Sequence, residues 1–149
     1  MEAIILIGLQ GAGKSTFFAQ RFADTHLRVS LDLLRTRHRE RRLLAFCTET
    51  QMPFVADNTN PTRAERTVYI TAAKAAGFRV AGYYFRSRVA DCRARNDARP
   101  PDRRVPPAGL LGTAGRLERP ARDEGFDELH YVWIDAAGAF VVEGWADEL

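Results

Sequence analysis

The amino-acid sequence predicts an α/β fold: a parallel five-stranded sheet sandwiched by helices. Three observations lead there. Short apolar runs alternate with helix-forming stretches along the chain. A glycine-rich turn follows the first apolar run directly. No apolar run approaches the roughly 18 residues that a membrane span needs. With 149 residues, 46% of them hydrophobic, the chain suits one domain over 1–149 with a single sizeable core.

The elements follow in order. "AIILIG" (Ala3–Gly8) is short, apolar and Ile-rich, as a strand buried on both faces should be. "KSTFFAQRFAD" (Lys14–Asp24) repeats Phe17, Phe18 and Phe22 at helical spacing. "HLRVS" (His26–Ser30) reads as a second strand, and "LDLLRTRHRERRLLAFCTET" as a mostly helical stretch broken by "QMP". "FVADNTNP" (Phe54–Pro61) is a third strand running into a polar turn. "PTRAERTVYITAAKAAG" (Pro61–Gly77) has Pro at its start and Gly at its end, the asymmetry expected of a helix. "FRVAGYYF" (Phe78–Phe85) is a fourth strand. Arg86–Arg99 is helical in composition and stops at "RPPD". "HYVWID" (His130–Asp135) is a fifth strand, with "AFVVEGW" able to pair with it as a hairpin. Strands alternating with helices imply a parallel sheet covered on both sides.

Charge is unevenly spread. The net charge is only +3, yet every Lys and Arg lies before position 123. Residues 1–122 hold 22 basic residues against 11 acids, a net +11, and arginine outnumbers lysine 20 to 2. The excess of arginine also fits a high-GC genome. Its clustering in "RTRHRERR" (Arg35–Arg42) and in Arg86–Arg104 suits a nucleotide or polyanion partner. The opening "MEAIILIGLQ" has no basic segment and its apolar run ends in glycines, unlike a secretory leader. Cys47 and Cys92 lack metal-ligand spacing and read as reduced thiols. A cytoplasmic protein with no membrane partner is the expectation, with a homo-oligomer left open.

"GLQGAGKST" (Gly8–Thr16) carries the chemistry. Gly8, Gly13, Lys14 and Ser15 satisfy G-x-x-x-x-G-K-[ST], behind a strand and ahead of a helix. Such a loop turns the backbone N–H groups of Gly11, Ala12, Gly13, Lys14, Ser15 and Thr16 toward phosphate oxygens. The helix adds its positive end, Lys14 reaches the β- and γ-phosphates, and Ser15 ligates Mg²⁺. The expected ligand is ATP, or another nucleoside triphosphate, with Mg²⁺. Asp57, ending the third strand, is the expected metal-linked carboxylate. Asp32 lies just past the second strand, at the sheet edge where ligands of open α/β folds bind. It suits a base for an accepting hydroxyl, or a helix N-cap. Arg35, three residues on, is expected on the same helical face, aiming a cation at an anionic substrate group. The "DNTN" turn also suits an Asx-type cap for the helix after Pro61. The remaining arginines of 86–104 suit a solvated face.

"GLQGAGKST", "LDLLR", "VADNTNP", "CRARNDAR" and "EGFDELHYV", in this order and spacing, resemble the P-loop kinases of the polynucleotide 5′-hydroxyl kinase type over nearly the whole chain. The resemblance implies a P-loop kinase fold with an arginine-rich helical lid at about residues 86–120. It implies Asp32 as general base for a 5′-hydroxyl of RNA or DNA. It implies Arg35 on the phosphate 3′ of the accepting nucleoside, Thr59 and Asn60 on the substrate side, and Arg95 and Arg99 clasping the ATP phosphates. Two other readings use the same loop. One is a kinase of a sugar, nucleoside or antibiotic hydroxyl, since no base-stacking motif is present. The other is a nucleotide-dependent switch, against which stands the lack of an N-K-x-D motif.

Overall fold

A computed structural model of the chain describes residues 1–146, so the last three residues of the expected domain lie outside the described range. Strands β1 (Glu2–Ile7), β2 (Leu27–Val29), β3 (Phe54–Ala56), β4 (Arg79–Phe85), β5 (Glu128–Ile134) and β6 (Phe140–Gly144) form one sheet in the order β2-β3-β1-β4-β5-β6. The first five strands are parallel, and β6 returns antiparallel beside β5, placing Val132 opposite Val142. The sheet thus has six strands rather than five. The reason is local: Asp135 Oδ1 accepts from the N–H groups of Ala137 and Ala139, and Gly138 takes φ 82, closing a tight hairpin turn.

Period-two alternation sorts the core into two layers. Ala3, Ile5 and Ile7 of β1 point to one face. There they meet Leu44 and Cys47 of helix α3 (Arg37–Thr50) and Tyr69, Ile70 and Ala73 of α4 (Arg63–Ala75). Ile4 and Leu6 point to the other face, against Phe17 of α1 (Lys14–Arg21), Cys92 of α5 (Val89–Asp97) and Leu110 of α6 (Pro107–Arg116). Both cysteines are therefore free, buried packing residues, and burial alone pushes the Cys47 thiol up to about 11. No helix among the described residues is long and apolar enough to cross a membrane.

Several helix boundaries differ from expectation: α1 ends at Arg21 rather than Asp24, and α5 covers only Val89–Asp97 of the stretch 86–99. The stretch after β2 is not one helix but two, α2 (Leu31–Leu34) and α3. Arg35 sits between them at φ 73, and Thr36 then caps α3 by accepting from the Arg39 N–H. Helix α4 starts at Arg63 rather than Pro61, because Thr62 and Glu65 form a reciprocal capping box.

Candidate active site

The loop between β1 and α1 is tied down at both sides. The Gly8 N–H donates to the Thr59 carbonyl (3.0 Å) and the Leu9 N–H to Ser87 Oγ (3.1 Å). Gln10 Nε2 donates to Thr113 Oγ1 of α6 (3.0 Å). Gly11, at φ 80, is forced by close approach as well as by conformation: a Cβ there would stand 2.3 Å from the Cys92 carbonyl oxygen of α5. Gly13, at φ 100, precedes α1, and no side chain caps the helix, leaving its first-turn N–H groups without intrahelical partners. This concave, N–H-lined start of a helix is built to receive an anion.

Lys14 arches back over the loop, its Nζ donating to the carbonyls of Gly8 (2.9 Å) and Leu9 (2.7 Å). It is 8% exposed, and burial pulls its ammonium down to a pKa of about 8, against the opposing pull of the Asp57 carboxylate. The charges of Asp32 and Arg99 also act on the Lys14 ammonium, which puts both within electrostatic range of it. Ser15 Oγ donates to Asp57 Oδ2 (3.0 Å). A hydroxyl and a carboxylate oxygen so close are hard donors of the kind Mg²⁺ takes, with phosphate oxygens and water completing its shell. No cluster of three His, Cys, Asp or Glu exists among the described residues, so phosphate would have to supply much of that coordination.

Asp32 is exposed, in the first turn of α2, at the carboxyl end of β2. It is not the helix N-cap, which is Ser30. Arg35 does not share a helical face with Asp32: α2 ends at Leu34, and Arg35 turns away with left-handed backbone, its side chain exposed. Asn60 is not on the substrate side either. It is 3% exposed, and its amide donates to the Leu6 carbonyl (2.8 Å), stitching the polar turn to β1. Thr59 is half-buried, and its carbonyl anchors Gly8. The expected lid is two helices, α5 and α6, joined by the proline-rich segment that Asn96 pinches with two hydrogen bonds to the Val105 backbone (2.7 and 3.0 Å). Arg95 reaches the Gly11 carbonyl (3.4 Å), while Arg99, just past the end of α5, lies within charge reach of Lys14. Arg88, Arg93, Arg103 and Arg104 are exposed, as a solvated face requires, but Arg86 is not: it is half-buried and its Nε donates to Tyr131 Oη (3.0 Å).

Four positioning residues escape sequence reasoning: Asn58, Glu40, Tyr69 and Arg28. Asn58, not a cap for α4, accepts from the Leu31 N–H (2.9 Å) and so caps α2, the helix that carries Asp32. Its Nδ2 donates to Glu40 Oε2 (3.0 Å) and to Tyr69 Oη (3.0 Å), and Tyr69 donates to Glu40 (2.9 Å). Burial, followed by the Glu40 charge, drives the Tyr69 pKa upward and keeps the phenol a donor. The fourth is Arg28 of β2. Its Nε donates to Asp57 Oδ2 (2.8 Å) and its Nη2 to Ser15 Oγ (3.1 Å). The only trace of this in the sequence is one arginine within a three-residue strand.

A five-strand parallel core, a phosphate-binding loop at the end of its central strand and two helices, α5 and α6, packed against that loop define a P-loop kinase fold. The chain belongs to the AAA domain family, whose model matches residues 4–120. Solved structures carry the same fold. Kti12 of Chaetomium thermophilum, in complex with ADP-AlF3, is 17% identical with a TM-score of 0.68, over 91% of this chain and 92% of that one. A gluconokinase from Sinorhizobium meliloti 1021 is 19% identical with a TM-score of 0.62, over 87% and 82%. The APS kinase CysC of Mycobacterium tuberculosis, in complex with AMPPNP and APS, is 16% identical with a TM-score of 0.51, over 80% and 83%.

Proposed function

We propose that the protein is an ATP- and Mg²⁺-dependent kinase that transfers the γ-phosphate to a 5′-hydroxyl of RNA or DNA. One observation carries the acceptor class. Asp32, whose charge acts on Lys14, is followed within ten residues by five exposed arginines, at positions 35, 37, 39, 41 and 42, with Arg37 and Arg41 on one face of α3 and Arg39 and Arg42 on another. A strand whose 5′ end reached Asp32 would bring its phosphates close to this cluster of positive charge. Asp32 would accept the proton of the hydroxyl as its oxygen attacks the γ-phosphorus and ADP departs. Lys14, Arg95 and Arg99 would hold the phosphate oxygens and neutralise charge as the bond to the leaving group breaks. Mg²⁺ on Ser15 and Asp57 would supply further charge neutralisation.

Arg35 stands just past the end of α2, three residues after Asp32, and its exposed side chain suits the phosphate 3′ of the accepting nucleoside. The test offers labelled ATP with a 5′-hydroxyl oligonucleotide, a 3′-mononucleotide, the bare nucleoside and a panel of sugars. The oligonucleotide and the 3′-nucleotide should be phosphorylated, and the nucleoside roughly ten- to a hundredfold less efficiently. In Arg35→Ala that gap should shrink, since a contact already missing is not lost again. Equal use of nucleoside and 3′-nucleotide would overturn the polynucleotide reading. A sugar accepted in preference would favour the second reading, a small-molecule kinase, which the fold likeness to a gluconokinase and an APS kinase supports.

Asp32→Ala should lower the transfer rate by roughly 10²–10⁴ while nucleotide affinity stays near wild type, because the carboxylate serves the acceptor. Lost ATP affinity with an intact saturated rate would remove Asp32 from the role of base.

A further inference from the structure

The position of Arg28 is not what a metal–nucleotide site alone requires. The two oxygens that suit Mg²⁺, Ser15 Oγ and Asp57 Oδ2, both carry a hydrogen bond from its guanidinium, at 3.1 and 2.8 Å. Together with the Ser15–Asp57 bond these contacts close a triangle. The Asp57 side chain is 1% exposed, and a carboxylate that deep needs a cation against it. Lys14 does not contact it, because its Nζ is spent on the Gly8 and Leu9 carbonyls. Arg28 is the one ion-pair partner of Asp57 among the described residues.

We infer that Arg28 is a placeholder cation: it holds Ser15 and Asp57 until a metal–nucleotide complex displaces it, and so sets how much free metal the site needs. The inference rests on the nucleotide-site reading above. The reason is charge. A guanidinium and a divalent ion gathered on the same two oxygens are like charges at contact distance, so the two arrangements exclude each other. Arg28 has somewhere to go. Its side chain is 28% exposed, and its Cζ already lies 6.0 Å from the centre of the Phe18 ring, a face that attracts a guanidinium. The fork geometry matters as well, since it engages both oxygens at once, which a lysine ammonium does less well.

The experiment measures binding, not turnover. A fluorescent ATP analogue is titrated onto wild type, Arg28→Gln and Arg28→Lys at a series of free Mg²⁺ concentrations and in EDTA, and Mn²⁺ uptake is followed by electron paramagnetic resonance. In Arg28→Gln the Mg²⁺ concentration for half-maximal nucleotide binding should fall roughly tenfold, the scale of one lost charge-assisted competitor. Affinity in EDTA should not change. Arg28→Lys, which keeps Asp57 paired and guards against a folding defect, should shift in the same direction by less. Weaker nucleotide binding in Arg28→Gln both with Mg²⁺ and in EDTA would make Arg28 a phosphate ligand and overturn the inference. An unchanged Mg²⁺ requirement, with normal wild-type binding, would overturn it alone. Failure of the wild type to bind nucleotide at any Mg²⁺ concentration would overturn the nucleotide-site reading and this inference with it.

Discussion

Lys14→Met is expected to abolish phosphoryl transfer and at the same time to stabilise the ligand-free protein. The first effect follows from the proposed function: Lys14 closes the loop on the Gly8 and Leu9 carbonyls and is the residue proposed to hold β- and γ-phosphate oxygens. Removing one preorganised donor of this kind costs roughly 10²–10³ in rate, and here a full charge goes with it. The second effect follows from burial, which lowers the ammonium from its ordinary 10.5 to a pKa of about 8. Between those values the unfolded chain holds a proton that the folded protein has released, so wild-type stability should rise with pH across this window. Below about pH 8 the full cost of burying the charge is present. Methionine fills similar space without that cost, so the variant should gain roughly 1–3 kcal/mol at pH 7, less what the two lost carbonyl bonds supplied. Thermal unfolding of both proteins from pH 6 to pH 10 tests this. The difference should be largest at low pH and should close as pH rises. A variant less stable than wild type at pH 7 would show that the bonds to Gly8 and Leu9 outweigh the buried charge.

Arg66→Ala should be the most damaging substitution outside the loop, at about 3–5 kcal/mol. Arg66 and Glu124 are 0% and 1% exposed at their side chains and meet in a two-pronged pair, Nε–Oε1 at 2.8 Å and Nη2–Oε2 at 3.1 Å. The Arg66 Nη1 also donates to the carbonyls of Asn60 (3.0 Å), Pro61 (3.2 Å) and Glu118 (3.1 Å). Truncation therefore leaves the buried Glu124 carboxylate without its cation and the Asn60 and Glu118 carbonyls without this donor, while the Pro61 carbonyl keeps the Glu118 N–H (2.7 Å). Asn60 and Pro61 belong to the turn that follows Asp57, so the damage should reach the site. Urea denaturation supplies the measurement. The double variant Arg66→Met with Glu124→Leu should recover much of the loss, because no charge is then left buried alone. If Arg66→Ala unfolds within about 1 kcal/mol of wild type, water reaches Glu124 and the pair is not the clamp its geometry describes.

The sequence by itself determined the phosphate loop, the alternation of strands and helices and the parallel core, because each is a local or periodic property. A buried strand such as β1 must read as a run of apolar residues, and a loop that wraps a phosphate must place glycines where the backbone turns left-handed. The positions of Asp32 and Asp57 just past the ends of β2 and β3 are legible for the same reason, and Lys14 and Ser15 are marked by the glycine-rich motif itself. The tertiary structure alone decided what their neighbours do. Asn60 turns inward because β1 and β3 lie side by side and leave the Leu6 carbonyl to its amide. Arg35 leaves the helix because Thr36 caps the next one, which no spacing of three residues reveals. Asn58 holds α2 through Glu40 and Tyr69, which come from two other helices. Arg28 meets Asp57 and Ser15 across gaps of 29 and 13 residues, and only the pairing of β2 with β3 beside α1 closes those gaps. Contacts between residues far apart in the chain leave no period in the sequence to read, so packing alone assigned these partners.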